Sequence, residues 1–105
     1  MKVLVCLTAD EPRPREALGA GAELAAELTG ELRVILIQPA VRRKEDRTAA
    51  LLALAREFTA GPWRIRTDDP GPALGNFVRL NRITHLVLGE AAERNWSTEL
   101  RKAVK

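Results

Sequence analysis

Short unbroken apolar runs punctuate this chain: Val3 to Leu7 (VLVCL), Val34 to Ile37 (VILI) and Leu86 to Leu88 (LVL). Strands covered on both faces of a parallel sheet read this way, because neither side chain direction meets water. These three are expected to be the interior strands. Trp63 to Thr67 (WRIRT) instead alternates apolar residues with Arg, the pattern of a sheet-edge strand with one wetter face.

Helical spacing fills the intervals. Pro14 suits a first helical turn, and Leu18, Gly21, Ala22, Ala25 and Leu28 recur three and four apart before Gly30 stops the helix. Leu51, Leu54, Ala55 and Phe58 repeat the pattern in a second helix expected to end at Gly61-Pro62. Asp69 before Pro70 reads as the N-cap of a third, with Leu74, Phe77, Val78 and Leu80 as its stripe. A polar loop is expected after Gly89, then a short helix from about Trp96 to Val104, with Glu99 early and Arg101, Lys102 and Lys105 late, as the helix dipole prefers.

Alternation of strand and helix with short connections predicts an α/β fold, an open parallel sheet of four strands in the order 3-2-1-4 with helices on both faces. The winding reverses between the first and fourth strands, and ligands of such sheets bind beyond the strand ends at that reversal. Thr8-Ala9-Asp10 and Gly89-Glu90 should meet there.

Bulk properties narrow the options. The 105 residues suit one domain, able to bury roughly 60 to 70% of its unfolded surface. No apolar run approaches the roughly 18 residues of a membrane span, and MKVLVCLTAD has too short an apolar core for a signal peptide, so a cytoplasmic protein is expected. The formal charge of +3 comes from 17 basic residues scattered among 14 acidic ones, a poor footprint for nucleic acid. The single cysteine, Cys6, lies inside an apolar run and reads as a buried reduced thiol.

Chemistry-bearing motifs are sparse. Gly19-Ala-Gly21 lacks the third glycine of a dinucleotide fingerprint and falls within a helical pattern, where small residues allow close packing. Asp68-Asp69 could offer carboxylates to a cation but more simply make a turn and a helix cap. His85 is the lone histidine, which leaves acid–base work to carboxylates such as Asp10 and Glu90, and no second feature supports it. No enzyme is expected and no metal site. Arg94 and Trp96 have two readings: Arg holds phosphate by paired hydrogen bonds while the indole covers a base, or the indole plugs the end of the sheet.

The stretch ITHLVLGEAAERNW (83–96) resembles the last strand and loop of universal stress protein (UspA-like) domains, above all those of KdpD-type potassium-sensor kinases, where a glycine leads through basic residues to Arg-x-Trp. TDDPGPALGNFVRLNRITHLVLG (67–89) is similar to the third strand's end, third helix and fourth strand of the same family. The resemblance implies an adenine-nucleotide alpha-hydrolase-like fold over residues 1–105 without the family's fifth strand. Nucleotide-binding members carry Gly, two residues, Gly, nine residues, then Gly with Ser or Thr; counted from Gly89, the remaining positions hold Ala92, Lys102 and Ala103. Thr8 stands where those members have an aspartate, and Asp10 follows two residues later.

The resemblance thus implies a small regulatory or interaction module in stress or potassium-linked signalling, with a homodimer covering the edge of the fourth strand and a regulatory protein as a further partner. The apolar-run lengths and the scattered charge point to neither membrane nor nucleic acid as partner. The alternative is a nucleotide sensor taking ATP or cyclic di-AMP in the crevice, with Thr8, Asp10, Gly89, Glu90, Arg94 and Lys102 as its site.

Overall fold

A computed structural model describes residues 1–38 and 47–92. Its elements run β1 (Lys2–Thr8), α1 (Pro14–Glu27), β2 (Glu31–Gln38), α2 (Thr48–Ala55), β3 (Trp63–Arg66), α3 (Pro70–Leu80) and β4 (His85–Leu88). All four strands are parallel in the order β3-β2-β1-β4, as the alternation predicts.

Period-two alternation along the central strands divides the core into two layers. Leu4, Cys6, Ile35 and Ile37 pack with Leu74 and Val78 of α3, Ile83 and Ala92. Val5, Leu7, Val34 and Leu36 pack with Leu18 of α1 and with Leu51 and Ala55 of α2. Helices therefore cover both faces. Close approach of α1 depends on Gly21: a Cβ there would collide with the Val5 side chain and lie 3.3 Å from Leu32 Cδ1. Gly19 has open space around it, so of this glycine pair Gly21 alone serves packing.

Several local expectations need correction. Of the three apolar runs expected inside the sheet only β1 and β2 are interior; β4 is an edge strand among the described residues, as the order 3-2-1-4 requires, and all four of its residues are only half-buried. A three-residue apolar run reports which faces avoid water and not whether a second strand lies alongside. Gly30 does not itself turn the chain out of α1; Thr29 does, at φ 52°, while Gly30 N–H donates to Ala25 O at 2.8 Å and Thr29 N–H to Ala26 O at 3.2 Å. This is the paired-bond helix stop usually built on glycine. Arg82, at φ 54°, repeats it after α3.

α2 ends at Ala55, short of Gly61, and residues 56–58 continue as turns. Asp69 does stand at the N-cap of α3, but its side chain makes no capping bond, and its own N–H donates to Thr67 Oγ1 at 3.0 Å. Leu80 leaves the predicted stripe and is 82% exposed. Helical backbone begins at Glu90, directly after Gly89, where a longer loop was expected. The helix expected over 96–104 lies outside the described residues.

Candidate functional site

The ends of β1 and β4 meet at the winding reversal. Thr8 pairs with Ile37 across the sheet, and Gly89 N–H donates to Cys6 O at 2.9 Å, so the residues after both strands rise side by side. Thr8, Asp10, Gly89 and Glu90 are gathered here as the topology requires. Arg94 and Lys102 lie outside the described residues.

The predicted groups are arranged differently from a ligand grip. The buried Thr8 hydroxyl donates to Asp10 Oδ1 at 2.5 Å, which engages the two with each other. Glu90 offers its backbone rather than its exposed side chain. The acceptor is Glu11, a residue that sequence reasoning passed over.

Glu11 is 1% exposed. Its Oε1 accepts the Glu90 N–H at 3.1 Å and the Arg13 N–H at 3.3 Å, and its Oε2 accepts the Ala91 N–H at 3.3 Å. The loop is pinned from behind: Glu11 N–H donates to Thr8 O at 3.2 Å, and Arg47 donates a guanidinium N–H to Glu11 O at 3.2 Å. Among the described residues no basic side chain forms an ion pair with the carboxylate. Three backbone amides hold it, two of them at a helix onset, where unbonded N–H groups favour an anion.

Gly89 acquires its meaning from this contact. A Cβ at position 89 would sit 2.7 Å from the Glu11 carboxyl carbon, closer still to Oε2, and 3.0 Å from Leu7 Cδ2. Its φ is not positive, so it is the missing side chain that matters here. Ala92, on the second glycine position of the family pattern, is fully buried in the core with Leu74 and Val78. It serves packing.

An open cleft of about 400 Å³ adjoins the carboxylate, between α1 and β4. Ala17, Ala20, Val87 and Leu88 form its apolar wall, and Glu11, Glu16, Glu90 and Arg13 its polar rim. Three acidic residues thus line the cleft beside one arginine, whose guanidinium lies 3.9 Å from Glu16. Thr8 and Asp10 do not line the cleft.

The remaining reactive side chains lie elsewhere. Cys6 is fully buried, and desolvation pushes its thiol up to about 12. His85 stands at the start of β4, at the opposite end of the sheet from the crevice, with Nδ1 2.9 Å from Thr84 Oγ1. Among the described residues no group of three or more His, Cys, Asp or Glu is arranged to hold a metal, so Asp68 and Asp69 belong to no such cluster. No described helix is long and apolar enough to cross a membrane.

Comparison with protein-family models and with curated proteins returns no match to this chain.

Proposed function

We propose that this chain is a universal-stress-protein-like regulatory or interaction module that works through protein contacts and does not bind nucleotide in its crevice. The observation that carries the reading is the Glu11 carboxylate: the amides that would greet a phosphate at the end of β4 already hold an anion from the chain itself. A nucleotide phosphate brought to the same amides would face that buried charge with no basic side chain paired to it among the described residues. Loss of the family's second glycine to the buried Ala92 points the same way.

The module acts as a homodimer in this reading. Among the described residues β4 pairs with β1 alone, and an edge strand with three half-buried apolar residues, Leu86, Val87 and Leu88, gains from being covered. A second copy supplies that cover, and a regulatory protein partner is the signalling output. A strictly monomeric sedimentation profile at high protein concentration would remove the dimer.

The rival sensor reading keeps one argument, the position of the cleft at the winding reversal. Thermal unfolding with and without millimolar ATP and cyclic di-AMP separates the two. The module reading expects no shift. A ligand at 100 times its Kd adds about 2.7 kcal/mol, a rise on the order of 10 °C for a domain of this size, and such a rise would establish the sensor instead.

A further inference from the structure

We propose that Glu11 is the specificity-determining residue of the crevice: an internal oxyanion that occupies a ready-made anion nest and so turns phosphate-bearing ligands away. The proposal rests on the reading of the crevice as closed to nucleotides and adds that the amides behind Glu11 form a nest open to other small oxyanions once its carboxylate is gone.

Three features support a nest rather than an ordinary side-chain contact. The donors come from both sides of the crevice, Arg13 from the β1 side and Glu90 and Ala91 from the β4 side, and they converge on one carboxylate at 3.1 to 3.3 Å. The carboxylate is almost wholly removed from water, and among the described residues no basic side chain is ion-paired with it. The absent side chain of Gly89 leaves the space in which it sits. Burial of a charge is costly, so the donors must be well placed for the anion to stay there. They are as well placed for any small oxyanion that takes its position.

The test is chemical rescue. Glu11→Ala removes the carboxylate and leaves the donors, and acetate or inorganic phosphate is then added against chloride at equal ionic strength. Thermal unfolding and the ¹⁵N–¹H shifts of Arg13, Glu90 and Ala91 are followed. Acetate and phosphate should raise the melting temperature of Glu11→Ala by several degrees over chloride and move those three amides. Wild type should show neither effect, and nor should Glu11→Gln, whose carboxamide still fills the space.

Folded Glu11→Ala that ignores both anions would overturn the proposal, as would wild-type amides that move with phosphate. Glu11→Ala that stays unfolded in every salt would overturn it too, because an added oxyanion must be able to replace the missing one. Failure here is separable from failure of the functional reading: a nucleotide-induced shift in wild type defeats the module, whereas an unresponsive Glu11→Ala beside a nucleotide-blind wild type defeats the nest alone.

Discussion

Gly89→Ala should be among the most damaging single-methyl additions in the protein, and its cost should vanish when Glu11 is removed. The new methyl would come within 2.7 Å of the Glu11 carboxyl carbon, and the carboxylate cannot retreat without stretching its bonds to the Glu90 and Ala91 amides. Hydrogen bonds to a charged group are worth about 1.5 to 3 kcal/mol each, and at 3.1 and 3.3 Å these two fall at the weaker end, so loss of both predicts a destabilisation of about 3 to 4 kcal/mol. For a domain near 100 residues that corresponds to roughly 12 to 18 °C in Tm, a large part of a typical stability of about 5 to 15 kcal/mol.

In a Glu11→Ala background the same methyl meets mainly Leu7 Cδ2 at 3.0 Å, the end of a side chain that can yield by a few tenths of an ångström. Its cost there should fall below about 1 kcal/mol, helped by the lower entropy of an unfolded chain with alanine in place of glycine. Urea denaturation of the four proteins of the cycle, at constant m-value, should therefore give a coupling of about 2 to 3 kcal/mol. Additivity to within about 0.5 kcal/mol would refute the argument, because Gly89 would then be required for something other than the carboxylate.

The helical glycines predict opposite outcomes by the same reasoning. Gly21→Ala overpacks against Val5 and Leu32 and should cost about 1 to 3 kcal/mol, whereas Gly19→Ala, with open space around it, should gain up to about 1 kcal/mol in calorimetry. Thr29→Gly and Arg82→Gly should each raise stability by about 0.5 to 1 kcal/mol, since the left-handed backbone at φ 52° and 54° strains a residue with a Cβ; loss of stability in either would show that its side chain matters more than its backbone. The Cys6 thiol should resist an aromatic disulfide reagent until the protein unfolds. With its folded pKa raised from 9.0 to about 12, its contribution is fully present below pH 9 and is lost as pH rises from 9 towards 12, at up to about 1.4 kcal/mol per pH unit. Denaturation midpoints of wild type and Cys6→Ala should converge over that range, and parallel slopes would contradict the assignment.

Apolar runs and helical spacing determined the strands, their parallel pairing and the order 3-2-1-4, because a buried parallel strand must be apolar on both faces and short crossovers admit few topologies. They also brought the ends of β1 and β4 together at the winding reversal, where Gly89 and Glu90 line the cleft while Thr8 and Asp10 stand beside it. Tertiary structure alone decided what fills it. Glu11 carries no distinguishing signal in the sequence and reveals itself only when folding places its carboxylate on amides 79 and 80 positions away. The identity of a side chain states what it can accept, but burial and the geometry of distant backbone donors decide whether it accepts a ligand's role or displaces it. For the same reason Gly89 was legible as special while its partner was not: a glycine marks a close approach, and only the fold says by what.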